Sequence, residues 1–469
     1  MDLICLSACE ILGLLRAGEV TPLELLDALE QRIGKVDGQV NALPTLCFER
    51  ARTHAQKLMQ LPIEERGLLC GMPVPIKDLT TVAGVRTTFG SMLHEHFVPE
   101  QSDFLVQNIE ANGGIVYAKS NTPEFGAGGN TFNDVFGATR NPYDLNRSAG
   151  GSSGGAAAAL ASGTAWLAHG SDLAGSLRTP ASFCGVVSLR PSPGLISSDP
   201  GPDPFYVQPQ EGPMARNIAD LALFTDALVG QNSMAAISKP APGVAFLTWA
   251  QQPNAPKQVA FSADLGVTQT STEVLAVVAK AMQKLTDAGI SITSDQPDLS
   301  DAQEAFDVPR ALAYGNSLGD GLDANRHLIK PEVVWNAEQG LALSGDQIRS
   351  AKKAHAQVFA SAAAFMSNYD VLICPAAIVP AIPIEERYLG FSEGVEVPDY
   401  YRWLAIASAI TATSLPVITL PCGTTNTGLP VGLQLIGKPH GDQQLFAIAS
   451  HIEAILGCNQ MPVERLNPI

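Results

Sequence analysis

Charge is what this chain has least of. Asp, Glu, Lys and Arg make up only 16% of its 469 residues, against 46% hydrophobic. That balance excludes a charge-rich disordered chain, because there is ample apolar surface to bury. The charge that is present is one-sided, with 29 Lys and Arg against 46 Asp and Glu, a net −17. Such a surface repels a phosphate backbone, so no nucleic-acid partner is expected through a general basic face. No run approaches 18 uninterrupted apolar residues, so no membrane-spanning helix is expected. The first twenty residues carry Asp2 and Glu10 and lack a basic n-region or small-residue cleavage site, unlike a secretory signal. The expected setting is therefore the cytoplasm.

Paired cysteines are missing too. The eight cysteines are scattered with no C-x-x-C, and Cys184 and Cys374 sit in apolar contexts, which suits buried thiols in a reducing compartment. G-x-x-x-x-G-K-[ST] and G-x-G-x-x-G are absent, so a nucleotide site is not expected. His94-Glu95-His96 is a lone H-x-H without H-E-x-x-H or further ligands, so neither metal nor cofactor is expected. Long linkers, charge blocks and repeats are also lacking, and the prolines are spread along the chain as loop punctuation. One large domain is the simplest organisation.

Glycine is what the chain has in telling places. Between Arg147 and Arg190, Gly150, Gly151, Gly154 and Gly155 bracket Ser152 and Ser153, and a second cluster spans Gly170 to Ser176. Each runs into small, helix-compatible residues, Ala156–Ala161 and Thr179–Cys184. A glycine turn feeding a helix presents unpaired N–H groups and a positive dipole end. With hydroxyls beside them, these are the ingredients of an oxyanion site. A flexible Gly/Ser linker is the plainer alternative, but linkers do not lead into an apolar segment such as Phe183–Leu189.

Around this stretch, strand and helix patterns alternate. Ser7 with Glu10, and Thr21-Pro22, mark helix starts. Residues 48–60, 102–112, a segment from Asn217, 271–289, most of 301–366 and 443–455 pattern as helices. Val74–Ile76, 114–119, 259–261, 290–293, 370–375, 417–420 and 431–436 pattern as buried strands. The alternation points to an α/β fold. Lys77 falls at the end of the Val74–Ile76 strand, where a lysine is ordinarily a snorkelling surface residue.

Lys77, Ser152 and Ser176 can be combined into a nucleophilic device. A serine hydroxyl needs a base to take its proton, and His169 is the only histidine near the glycine clusters. A neutral lysine can serve instead if burial lowers its pKa.

These motifs resemble the amidase signature family. GGSSGG at Gly150–Gly155 and GSDLAGSLRTPASFCGVVSLRP at Gly170–Pro191 carry the likeness. G-x-P-x-x-x-K-D at Gly71–Asp78, KSNTPEF at Lys119–Phe125, EGPMAR at Glu211–Arg216, DVLICP at Asp370–Pro375 and the segment Leu415–Gly437 extend it. The resemblance implies a single 1–469 amidase domain with a central mixed, mostly parallel twisted sheet flanked by helices on both faces. It divides the chain into N-terminal helices (1–65), a signature region (66–230), a variable substrate-shaping region (231–366) and C-terminal strands and helix (367–469). It further implies Ser176 as nucleophile, Ser152 as a bridging serine after a cis peptide bond, and Lys77 as base. The amides of Leu173, Ala174, Gly175 and Ser176 would form the oxyanion hole, and Gly126, Gly128 and Ser153 would line the substrate side. Asp172 and Arg178 would hold the loop.

The implied reaction is hydrolysis of a small-molecule amide, with esters, anilides or carbamates as companions, and a homodimer is the assembly to look for. Phe125, Phe136, Phe205, Tyr206, Tyr314 and Trp335 suggest an apolar or aromatic substrate. One departure stands out: Ala174 occupies a position where similar enzymes have glycine; alanine keeps the N–H, and the oxyanion hole survives if its φ is negative. The alternative within the family is the amidase component of a tRNA-dependent glutamine amidotransferase. That component is expected to carry an acidic residue about a dozen positions before Leu415-Pro416, where this chain has Trp403-Leu404.

Overall fold

Helices begin where their caps predict. Ser7 and Glu10 close a reciprocal capping box on α1 (Ala8–Ala17), and Thr21 with Glu24 does the same for α2 (Pro22–Val40), which has Pro22 at its first position. Each box satisfies amides that the first turn leaves without partners. α3 (Phe48–Met59) follows. The computed structural model describes residues 2–201, 203–392, 394–457, 461–463 and 466; Cys458 lies outside them. Cys9, Cys47, Cys70, Cys184 and Cys374 carry free thiols. No helix among the described residues is long and apolar enough to cross a membrane.

A small sheet carries the first piece of chemistry. β1 (Pro73–Lys77) runs parallel to β2 (Ile115–Ser120), reached through α4 (Phe104–Ala111), and Thr45–Leu46 pairs antiparallel with β2. Every residue of β1 and β2 is buried, Lys77 and Lys119 included. The register sets Lys77 beside Ser120.

The main sheet has eight strands, and their ranges place both glycine clusters. α5 (Gly154–Ser162) leads to β3 (Leu167–Asp172), then α6 (Arg178–Cys184), β4 (Val187–Arg190), β5 (Gln210–Ala215) and α7 (Ile218–Leu228). β6 (Val259–Phe261), α8 (Thr272–Asp287) and β7 (Ile292–Ser294) form the expected strand–helix–strand unit. The helices α9 (Ala302–Leu318), α10 (Pro331–Leu341) and α11 (Gly345–Met366) precede β8 (Val371–Pro375). α12 (Ala405–Ala412), β9 (Val417–Thr424), β10 (Pro430–Ile436) and α13 (Asp442–Leu456) complete the chain. The order across the sheet is β7-β6-β8-β10-β9-β4-β5-β3.

The sheet is mixed, but its balance differs from expectation. Only β7–β6 and β6–β8 are parallel; β8–β10, β10–β9, β9–β4, β4–β5 and β5–β3 are antiparallel. The physical reason is connection length. β9 turns into β10 within a few residues, and a short turn can only reverse a strand, whereas a parallel neighbour needs a crossover such as α8.

Both faces of the sheet are covered. Alternation along β8 sends Val371 and Ile373 into a core shared with α7, α8 and α13, and Leu372 and Cys374 into a second core with α9, α11 and α12. Each fully buried Leu or Ile stabilises by about 1.5–3 kcal/mol, so the chain holds as one domain around this sheet. α5 is buried on every side, as its run of Gly and Ala requires.

Candidate active site

The first glycine cluster lies where backbone approaches backbone. A Cβ on Gly151 would sit 2.8 Å from the Asn130 amide nitrogen, and one on Gly155 would sit 2.3 Å from that of Asn121. Only glycine fits either place. The Gly151–Ser152 peptide is cis. Ser152 meets Lys77 here, with Lys77 Nζ 2.7 Å from Ser152 Oγ.

Lys77 is wholly buried, and what surrounds its amine is hydroxyl and carbonyl oxygen. Nζ lies 2.9 Å from Ser153 Oγ, 3.0 Å from Ser171 Oγ and 3.3 Å from the Ser171 carbonyl. Burial pushes the amine down from the lysine range to about 7, against the opposing pull of Glu211 and Asp172. A lysine so placed exists in part as a neutral amine near neutral pH, with a lone pair directed among hydroxyls.

Ser171 was not among the expected site residues. It lies inside the second glycine cluster, on β3, whose alternation puts residues 169 and 171 on one face. Ser153, expected to line the substrate side, stands at the lysine. Its side chain is buried, binds Lys77 and donates to the Ser171 carbonyl at 3.1 Å, so it belongs to the lysine's cage. The spacing G-x-S-x-G in Gly150–Gly154 does not make a Ser-His elbow either, because His169 is occupied with the Lys77 amide and Glu211.

The second cluster is organised around Asp172. Burial alone would raise its carboxyl, but the Arg178 and Arg190 guanidinia hold it well below the usual carboxylate range. Arg178 binds it through both Nη2 (2.8 Å) and Nε (3.0 Å), a bidentate fork. Arg178 also donates to Gln434, Thr411 and the Ala407 carbonyl, tying the loop to α12 and β10. The same carboxylate accepts from the amides of Gly175 and Leu177, each at 3.0 Å.

That last contact sets Gly175 apart from the other amides of the expected oxyanion hole. The Gly175 amide is spent on Asp172, while those of Leu173, Ala174 and Ser176 enter none of the hydrogen bonds found among the described residues. Side-chain direction decides this, and spacing does not encode it. Ala174 keeps its amide in play. The positive φ falls on Gly175 (+100°) and not on Ala174, and the Ala174 methyl packs into the second core. A Cβ on Gly175 would meet that of Ala407 at 2.6 Å.

Ser176 is almost buried, its carbonyl accepting from the Ser153 amide at 3.1 Å. Its hydroxyl enters no hydrogen bond found among the described residues. Gly126, with φ +70°, sits against Ser152, whose Oγ would lie 3.5 Å from a Cβ there; the Cβ position of Gly128 faces open space. Of the expected aromatics, Phe125 and Tyr314 meet, the Tyr314 hydroxyl donating to the Phe125 carbonyl at 3.3 Å. Tyr206 lines a neighbouring cavity of about 320 Å³. Phe136 lies under Arg86, Phe205 is exposed, and Trp335 packs on Tyr400 and Tyr401. Arg310 went unrecognised in the sequence. It is buried against the Tyr314, Tyr400 and Tyr401 rings and donates to Asn336 and the Tyr400 hydroxyl.

This arrangement can be compared with known proteins. The model of the Amidase family matches residues 24–446. The chain belongs to the amidase family. This amidase is 32% identical over 465 residues to an acylamidase from Rhodococcus erythropolis, covering 96% of this chain and 95% of that one. It is 28% identical over 485 residues to the A component of the glutamyl-tRNA(Gln) amidotransferase from Halothermothrix orenii, covering 97% and 98%. The crystal structure of a bacterial aryl acylamidase shares its fold, with a TM-score of 0.90 at 24% identity and 99% of both chains covered. The amidase is accordingly a hydrolase of carbon–nitrogen amide bonds.

Proposed function

We propose that this amidase hydrolyses small-molecule carboxylic amides in the cytoplasm through an acyl-enzyme on Ser176, with Ser152 as proton bridge and Lys77 as base. The observation that carries the reading is the buried Lys77 amine, lowered to about 7 and 2.7 Å from Ser152 Oγ. Neutral Lys77 takes the Ser152 proton as Ser152 takes that of Ser176, and Ser176 Oγ bonds to the substrate carbonyl carbon. The Leu173, Ala174 and Ser176 amides support the oxyanion. The proton returns through Ser152 to the leaving nitrogen as the C–N bond breaks. Water then releases the acid by the reverse relay. Apolar or aromatic amides suit the Phe125 and Tyr314 side chains, which pack on a small apolar cluster with Ala127, and esters follow as easier substrates for the same serine.

The relative named as an amidotransferase component supports a second reading, transfer of ammonia from glutamine to a partner. Against it stand Trp403 and Leu404, both buried and apolar where a charged amino group would need an acid; Trp403 stacks on Phe183. The experiment is turnover of an amide panel by the purified chain, with fluorophosphonate labelling. Hydrolysis of anilides and labelling lost in Ser176→Ala, with the rate down at least about 10³-fold, supports the hydrolase. Turnover of glutamine alone supports the second reading, and an active Ser176→Ala overturns both.

A further inference from the structure

Behind Lys77 lies a pair of residues that the proposed relay does not use. Antiparallel pairing sets Ser171 opposite Glu211 and His169 opposite Pro213. His169 and Glu211 are therefore diagonal neighbours on one face, close enough for side chains to meet. His169 is fully buried, and its Nε2 lies 2.8 Å from Glu211 Oε2. On its other side, Nδ1 accepts a hydrogen bond from the Lys77 main-chain amide at 3.4 Å. Those two partners assign the proton of the ring to Nε2. Glu211 in turn lines the cavity of about 320 Å³ and keeps partial contact with solvent.

We propose that His169 and Glu211 are a positioning pair for Lys77: His169 clamps the end of β1, and Glu211 supplies a carboxylate that faces the buried amine. The proposal rests on the reading of Lys77 as base. The pair is not a proton wire, because His169 touches the backbone N–H of Lys77 and not Nζ. What it controls is where the amine sits and how strongly it holds its proton.

The charged groups around Lys77 come from the strands near β1, while α2, which also packs on it, turns its charged side chains outward or binds them elsewhere. β2 brings Lys119, tied to Asp78; β3 brings Asp172, already neutralised by Arg178 and Arg190; β5 brings Glu211. Ser152 and Ser153 precede α5 and are uncharged. Asp103 caps the start of α4, where it feels the charge of Glu211. Glu211 thus lacks the two guanidinia that cancel Asp172. A carboxylate favours the ammonium form of a nearby lysine, so Glu211 raises the pH at which Lys77 becomes a base.

The test is the pH profile of kcat/KM for Glu211→Gln, whose amide oxygen still accepts from His169. Removing the charge should move the acid limb down by roughly 0.5–1 pH unit, so relative activity near pH 6 rises while the plateau falls no more than several-fold. A lower plateau with an unmoved limb would mean a merely structural role and overturn the inference. A second arm tests the clamp. His169→Ala should lower kcat by roughly 10-fold or more with little change in KM. His169→Asn, whose Oδ1 replaces the Nδ1 acceptor, should recover most of that loss. Equal loss in both variants, or none in either, contradicts the clamp. Lys77→Met separates the two levels of argument. If it stays active, the base assignment itself fails; if it is dead while the Glu211→Gln limb is unmoved, only the present inference fails.

Discussion

Lys77 and Lys119 occupy adjacent strands, both completely buried, and they do opposite things. Lys119 lies 3.0 Å from Asp78 Oδ1 and donates to the Thr80 carbonyl (2.8 Å) and Thr87 Oγ1 (3.0 Å). Asp78 is fixed in turn by the Thr88 amide and hydroxyl. Lys77 has no carboxylate in contact, only three serines. Burial lowers the proton affinity of both amines. A counter-ion at contact distance opposes that for Lys119, whereas Lys77 feels carboxylates only at longer range and falls to about 7. Two lysines with the same burial thus differ in whether a carboxylate touches the amine, which on the proposed reading makes one a strut and the other a base.

The largest expected effect breaks this contrast at Lys77. Lys77→Met should abolish turnover, by about 10³-fold or more, while leaving the melting temperature unchanged or higher, since a buried amine without a counter-ion in contact is replaced by an apolar chain. Lys119→Met should do the reverse. Leaving Asp78 buried without its cation should cost about 3–5 kcal/mol in urea unfolding, and any well-folded fraction should keep its kcat.

The contrast also predicts how stability depends on pH. The folded-state pKa of Lys77, about 7, lies below the unfolded lysine value of 10.5. Between those values the unfolded chain binds the extra proton, so Lys77 makes stability rise with pH, by up to about 1.4 kcal/mol per unit. Below pH 7 its contribution is a constant penalty. Chemical denaturation from pH 6.5 to 9.5 should show this slope in wild type and not in Lys77→Met. The smallest expected effect is that of Ser171→Ala, which removes one acceptor from the amine. It should lower kcat several-fold and shift the acid limb slightly downward, because one dipole favouring the ammonium is gone.

Local chemistry was legible in the sequence. Capping residues marked α1 and α2, turn glycines marked the two serine loops, and the apolar run before Lys77 marked a strand, while the lysine itself read ordinarily as a surface residue. What escaped was set by pairing between distant segments. β3 hides among glycines, and β5 follows a Pro-rich loop, so neither carries a strong strand pattern. Yet the register between them is what joins His169 to Glu211 and puts Ser171 under Lys77. The antiparallel majority of the sheet has the same origin. The contacts of Ser153 with Lys77 and of Gly175 with Asp172 were not legible, because spacing locates a residue on a loop without saying where its hydroxyl or N–H points. The role of Ser176 came from family resemblance, since its hydroxyl makes no contact that local physics would single out.

The most direct test of the lysine contrast is a titration of the two amines by NMR of protein labelled at lysine Cε, with Lys77→Met and Lys119→Met assigning the signals. The account predicts one buried resonance, lost in Lys77→Met, that titrates near pH 7, and a second, lost in Lys119→Met, that titrates at higher pH. A Lys77 resonance that stays protonated up to the ordinary lysine range above pH 10 would contradict it.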